Sequence, residues 1–240
     1  MKDMDGLKLV SFDVWDTLLS IKSFYRSVAL ELAKITDKNS AFLENKLIEG
    51  YEKIRAIRRA GGFEDSKIVS MALDAMAKFL NVDSKAISEA ILNAAENSLA
   101  KQHLIEGAKE TVSRIKEHGL KIGVIGNVVF WPGSINRTLL EKAGLSNFID
   151  RQFCADELKV SKPKPEIFQK ALSEFNVEPQ NALHVGDSVF EDFAGAITSR
   201  MNAVLIDQNA KEIVRLSDWN AYIIPNIKLL EEIVKKFIRP

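Results

Sequence analysis

The sequence lacks the features that would direct a protein to an oxidising compartment, a nucleic acid or a membrane. Its 240 residues include one cysteine, Cys154, which cannot form an internal disulfide bond. Lys and Arg total 33, as do Asp and Glu, so no net charge attracts the chain to nucleic acid or anionic lipid. No apolar run approaches membrane-spanning length, and the first residues, MKDMDGLK, lack the apolar core of a signal peptide. We therefore expect a globular, cytoplasmic protein that binds neither nucleic acid nor membrane.

Proline is absent before position 132, and glycine is rare between residues 20 and 103. Apolar residues in that stretch recur at helical spacing and predict four helices, at 22–35, 41–59, 65–80 and 84–100. The rest of the chain alternates short apolar strands with amphipathic helices, which indicates a parallel sheet covered by helices on both faces. The pattern thus predicts a doubly wound α/β core, residues 1–19 and 104–240, with a helical block, residues 20–103, inserted after the first strand.

Polar side chains follow four of the predicted strands. They are Asp13, Asn127, Lys162 and Asp187, with Glu191 and Asp192 shortly after the last. Ligands of such sheets lie beyond the carboxyl ends of the strands, so we expect these side chains at one edge. Two acids and a lysine suit a divalent cation together with a phosphate. In that arrangement Asp13 would attack phosphorus, and Lys162 would balance the developing charge.

The order and spacing of these segments resemble the haloacid dehalogenase-like (HAD) hydrolase superfamily over the whole chain. FDVWDTLL is similar to its first motif, VIGN to its second, SKPKPEIF to its third and HVGDSVFED to its fourth. The resemblance implies an α/β fold, a Rossmann-like parallel sheet core with an inserted all-helical cap domain of the C1 type. It also implies a phosphatase that uses Mg²⁺ and acts on a small phosphorylated substrate. The oligomeric state stays undetermined.

The resemblance also implies a role for each matching residue. Asp13 would be the nucleophile, and Asn127 and Lys162 would hold the transferring group. The ligands of Mg²⁺ would be Asp13, the Trp15 backbone carbonyl and Asp187. The metal shell would be supported by two further acids, Asp192 and Glu191. Substrate contacts would come from Gly126, Thr17 and Trp15.

Two positions depart from the family pattern. The phosphatases of this superfamily have a second aspartate two residues after the nucleophile, which protonates the leaving group, whereas this chain has Trp15 there. Asp16 is displaced by one residue, and in an extended chain its side chain would point away from the site. The second departure is Gly126, where a serine or threonine usually binds a phosphoryl oxygen, so only a backbone amide is available.

These departures leave three functions open. The first is the Mg²⁺-dependent phosphatase with an aspartyl-phosphate at Asp13. The second is a metal-independent haloacid dehalogenase, since an aromatic residue two positions after the nucleophile also occurs there. The acidic fourth motif argues against it, because two facing carboxylates without a cation raise each other's pKa. The third is a degenerate, weakly active member that binds phosphate.

Several residues have a structural interpretation that competes with a functional one. Trp15 is expected to pack at the hinge of the cap, and His184 to be a core histidine. The second predicted helix carries four basic residues, Lys53, Arg55, Arg58 and Arg59, which are interpreted as a solvated basic face. The alternative is that the cap delivers one of these cations to a second anionic group of the substrate.

Overall fold

Strand β1, Leu9–Phe12, lies at the centre of the molecule, and all four of its residues are buried. The computed structural model describes residues 6–99 and 101–238. β1 pairs in parallel with β2, Lys121–Gly126, on one side and with β4, Ala182–Gly186, on the other. Because successive side chains of a strand face opposite sides of the sheet, this apolar strand contributes to the core on both faces.

Seven strands form the sheet. The remaining four are β3, Arg151–Cys154; β5, Asn202–Ile206; β6, Val214–Leu216; and β7, Ala221–Ile224. Their order across the sheet is β3-β2-β1-β4-β5-β7-β6, and every pairing is parallel except that of β6 with β7. The predicted parallel sheet is therefore confirmed. β6 is an addition at the edge, where a short and largely exposed segment has no apolar pattern to reveal it.

Helices cover both faces of the sheet. One face packs against α5, Ala108–Glu117; α6, Gly133–Lys142; and α10, Leu230–Phe237. The other packs against α8, Pro165–Phe175, and α9, Gly195–Thr198. A short helix α7, Ala155–Leu158, follows β3. A π-helical turn, Val189–Ala194, leads from the end of β4 into α9.

The inserted block is all-helical, as predicted. It contains α1, Ile21–Ile35; α2, Ser40–Arg59; α3, Ile68–Leu80; and α4, Ser84–Asn97. Side-chain oxygens of Ser20, Asn39 and Asp83 cap three of them. α4 ends at Asn97, so the predicted helix is too long at residues 98 and 99. Residue 100 lies outside the described residues, as do residues 1–5 and 239–240 of the predicted core domain. The exact domain boundaries at 19/20 and 103/104 stay a prediction.

Two crossing segments join the cap to the core. The Ser20 amide donates to the His103 carbonyl at 2.7 Å, and the Ile105 amide donates to the Leu18 carbonyl at 2.9 Å. The His103 ring lies between the hydroxyls of two serines that are both within 2.9 Å, Ser23 and Ser98. The two segments of the hinge are therefore joined to each other by hydrogen bonds. In the described part of the chain, no helix is both long and apolar enough to cross a membrane.

Candidate active site

Lys162 links the strand ends at the carboxyl edge of the sheet. Its Nζ donates to Asp13 Oδ1 at 2.6 Å, to Asp192 Oδ1 at 2.5 Å and to the Ile125 carbonyl at 2.6 Å. The lysine side chain is 1% exposed, so its charge depends on these partners. The structure therefore brings together the predicted nucleophile, the predicted lysine and one of the predicted supporting acids.

Three carboxylates share this site. Oxygen atoms of Asp13, Asp187 and Asp192 all lie within 4.8 Å of one another. Burial raises the pKa of Asp13 to about 7, although the Lys162 ammonium opposes the shift. Burial and the charge of Asp13 raise the pKa of Asp187 to about 8. The single positive charge of Lys162 does not balance the negative charges of both Asp13 and Asp187. A set of oxygen ligands with excess negative charge fits a hard divalent cation such as Mg²⁺.

Asp192 is held from several sides. Its Oδ1 also lies 3.2 Å from His184 Nε2, and its Oδ2 accepts the Ser188 amide at 3.0 Å. Burial alone would raise its pKa, but the Lys162 ammonium and His184 hold it below its ordinary value. A Cβ atom at Gly186 would collide with the Asp192 carboxyl group, so the end of β4 requires glycine. Asp192 therefore orients Lys162, and His184 is confirmed as a buried core residue that supports it.

Asn127 and Glu191 connect the core to the cap. The Asn127 side chain exchanges two hydrogen bonds with the Lys162 backbone, at 2.8 and 3.1 Å, and donates to Glu191 Oε2 at 3.0 Å. Glu191 Oε1 accepts Arg58 at 2.6 Å and Arg59 at 2.8 Å. Burial opposes ionisation, yet the arginines lower the pKa of Glu191 to about 2. The Glu191 carboxylate lies between Asn127 and the cap, and its predicted support of the metal shell stays a prediction.

The prediction that the basic face of α2 is solvated is wrong for Arg55 and Arg58. The side chains of Arg58 and Arg55 are only 6% and 18% exposed, because they lie against the core at Glu191. Lys53 fits the prediction, since it is 58% exposed and pairs with Glu49 at 2.7 Å. Helical spacing identified the basic face, but the sequence contained no sign that the core covers it.

The turn after Asp13 places both of its unusual residues at the site. The Trp15 ring stacks on Phe24 at 5.4 Å and meets the edge of Trp131 at 5.4 Å, which confirms its packing role at the hinge. Asp16 has a left-handed backbone with φ of 53°, and its Oδ1 accepts the Ile21 amide at 3.2 Å. It lines the same cleft as Asp13. The expectation that Asp16 points away is therefore wrong, because it assumed an extended backbone.

Two predicted substrate contacts, Thr17 and Gly126, do not line the cleft around Asp13. Thr17 lines a separate cavity of about 260 Å³ together with Ile105 and Asn226. Gly126 ends β2 beside Val14, whose Cγ2 would lie 3.4 Å from an added Cβ. That is an ordinary contact, so the position has room for a small side chain. Substrate binding by Thr17 and Gly126 stays a prediction.

The cleft around Asp13 is nearly closed. Core residues line one side, and Tyr51, Arg55 and Arg58 of the cap line the other. The cavity between them is about 30 Å³, which holds roughly one or two water molecules. The cavity in this arrangement of cap and core is too small for a metabolite, so we expect the cap to move when a substrate enters.

Comparison with known proteins agrees with this geometry. The family model of the haloacid dehalogenase-like hydrolases matches residues 7–199. The chain belongs to this family. A relative from Pyrococcus furiosus named glyceraldehyde 3-phosphate phosphatase is 25% identical over 97% of this chain and 95% of its own length.

Solved structures of HAD hydrolases share the fold. One is a HAD-hydrolase from Bacillus subtilis, YfnB, bound to magnesium, with a TM-score of 0.74, 16% identity and coverage of 95% of this chain and 99% of its own. Another is the L-2-haloacid dehalogenase of Xanthobacter autotrophicus, with a TM-score of 0.70, 17% identity and coverage of 95% and 98%. Identities this low establish the fold alone.

Asp16 was expected to point away from the site, and Ser188 was not predicted to contact it. Aspartate is one of the few residues that readily adopt a left-handed backbone, so a turn at Asp16 was a readable signal. Ser188 caps the π-helical turn by accepting the Glu191 amide at 3.1 Å, and its hydroxyl lies within 3.5 Å of two cap arginines. The capping role follows from the residue type, whereas the contact with the cap does not.

Proposed function

We propose that this HAD hydrolase is a cytoplasmic, Mg²⁺-dependent phosphatase of a small phosphorylated metabolite that works through an aspartyl-phosphate at Asp13. The observation that carries the proposal is the pairing of the buried Asp13 with the half-buried Asp187, of which, among the described residues, only Asp13 has a lysine partner. The similarity to a phosphatase along nearly the whole chain supports the same reaction class.

The donor set fits the metal that the family implies. Asp13, Asp187 and the backbone carbonyl of Trp15 would hold Mg²⁺. When bound, the ion would neutralise the two carboxylates and polarise the phosphoryl oxygens. Asp187 also argues against a metal-independent dehalogenase, since an uncompensated acid beside Asp13 opposes ionisation of the nucleophile.

The residues of the chain then have defined tasks. Lys162 binds Asp13 Oδ1, which leaves the other carboxylate oxygen to attack phosphorus. The bond from phosphorus to the ester oxygen breaks, and the leaving oxygen takes a proton from water, because Trp15 stands where the family has its acid. A second water molecule then attacks the aspartyl-phosphate and returns one proton to solvent, which releases inorganic phosphate and restores the Asp13 carboxylate. The Lys162 ammonium offsets the negative charge that develops on the phosphoryl oxygens, and Asn127 fixes the Lys162 backbone.

A substrate panel tests the proposal. Phosphate monoesters and 2-haloacids are assayed with Mg²⁺ and with chelator. We expect turnover of phosphates only with Mg²⁺, and its loss in Asp13→Asn, because the covalent nucleophile is removed. Asp74→Asn, at an exposed position of α3, is the matched control and should retain activity. Haloacid turnover in the presence of chelator would instead establish a dehalogenase. Absence of turnover in every assay would indicate a member that only binds phosphate.

A further inference from the structure

Three arginines of α2 converge on one carboxylate of the core. Arg55, Arg58 and Arg59 are three and four residues apart, which places them on one face of the helix. Nitrogen atoms of all three lie within 3.5 Å of Glu191 Oε1. One carboxylate thus faces three guanidinium groups, whereas a bidentate pair with a single arginine already uses both carboxylate oxygens.

The three arginines are bound to different degrees. Arg58 is the most buried, and it donates to the Val128 carbonyl at 3.2 Å as well as to Glu191. Arg55 is held more loosely, because its Nη2 lies 3.5 Å from the Ser188 hydroxyl and its Nε is 3.5 Å from Glu191 Oε1. The buried Arg55 Nε has no hydrogen-bond partner among the described residues. A buried charged donor that has an ion-pair partner but no hydrogen bond is incompletely satisfied, so this position favours an added anion.

Arg55 also faces the reaction centre. It lines the same cleft as Asp13 and Asp187, with its guanidinium 5.8 Å from the Tyr51 ring. In the described part of the chain, none of the three arginines lies within ion-pair distance of Asp13, Asp187 or Asp192. The cleft therefore has an acidic end on the strands and a basic end on the cap.

We propose that Arg55, with Arg58 and Arg59 holding Glu191 in place, forms a second oxyanion subsite that selects phosphate esters carrying a further carboxylate or phosphate. This inference rests on the proposed phosphatase function. Arg55 turns to the second anion of the substrate while Glu191 keeps Arg58 as its partner. The alternative role is a latch, in which the arginines only fasten the cap to the core.

Matched substrates separate the two roles. In the first pair, 3-phosphoglycerate has a carboxylate where glycerol 3-phosphate has a hydroxymethyl group. In the second pair, fructose 1,6-bisphosphate has a second phosphate that fructose 6-phosphate lacks. We expect the wild type to have the higher kcat/KM for the doubly anionic member of at least one pair. The pair that shows the preference identifies the second anion as carboxylate or phosphate.

The decisive variant is Arg55→Gln. It should lower that preference by about 10- to 100-fold, the value of a charge-assisted hydrogen bond, mainly through KM. Lys53→Gln, on the exposed side of the same helix, is the matched control and should leave the preference unchanged. Thermal melting checks that the variants fold. If Arg55→Gln does not fold, Arg55→Lys should fold and show a smaller loss of the preference, because lysine keeps the positive charge but lacks the paired N–H donors of the guanidinium group.

Each contrary result has a distinct meaning. If Arg55→Gln lowers kcat/KM equally for both members of a pair, the arginines act as a latch and the subsite is overturned. A wild type that prefers neither member of either pair would also overturn the subsite. In both cases turnover of glycerol 3-phosphate would leave the phosphatase function intact. Absence of turnover on every phosphate with Mg²⁺ would overturn the proposed function and the subsite with it.

Discussion

The affinity for Mg²⁺ should depend strongly on pH. In the metal-free protein the pKa of Asp13 is about 7 and that of Asp187 about 8, against an ordinary value near 3.8. Both groups must lose their protons to bind a cation, so protons compete with Mg²⁺ below these values. Affinity should therefore rise as pH increases through 7 and 8 and level off above.

The size of the effect follows from the two pKa values. Between about pH 8.5 and about pH 6, affinity should fall about 10²-fold if binding releases one proton and about 10³-fold if it releases two. The two acids share the nearby Lys162, so the number of protons is the quantity to be measured.

Isothermal titration calorimetry across this pH range measures the affinity, and titrations in buffers of different ionisation enthalpy count the protons. Asp187→Asn is the informative variant, because removal of one of the two carboxylates should abolish most of the binding. An affinity that stays constant between about pH 6 and about pH 8.5 would refute the reasoning, since the carboxylates would then already be ionised without the metal. Undiminished binding in Asp187→Asn would place the metal elsewhere.

Three further predictions concern the residues around the nucleophile. Trp15→Asp should raise the ratio of alkyl to aryl phosphate turnover by up to roughly 10²–10⁴-fold, because it restores a general acid; an unchanged ratio in a folded variant would mean that Asp16 or the substrate donates the proton. Trp131→Ala should lower the free energy of unfolding by about 3–5 kcal/mol in urea titrations, whereas Trp219→Ala, at a 59% exposed side chain, should change it by about 0.5 kcal/mol or less. Lys162→Met removes the ammonium group that Asp13 and Asp192 share, so it should abolish turnover and cost about 3–5 kcal/mol of stability; wild-type stability would show that the carboxyl groups are already protonated.

The sequence alone predicted which acids meet at the carboxyl edge of the sheet. Asp13 and Asp187 directly follow β1 and β4, and the ends of neighbouring parallel strands meet at one edge whatever the details of packing. Lys162 reaches the same edge from the loop beyond α7. The helical cap was equally readable, because an apolar stripe at helical spacing is a property of the segment itself.

The tertiary structure decided what lies opposite that edge. Spacing shows that Arg55, Arg58 and Arg59 share a face, but contact with Glu191 depends on how the cap rests on the core. Asp16 reached the cleft through one left-handed backbone angle, which reverses the direction of a side chain without any change in sequence pattern. Local patterns determine each segment and its buried side, whereas contacts between residues more than 130 positions apart arise only from the packing of whole elements.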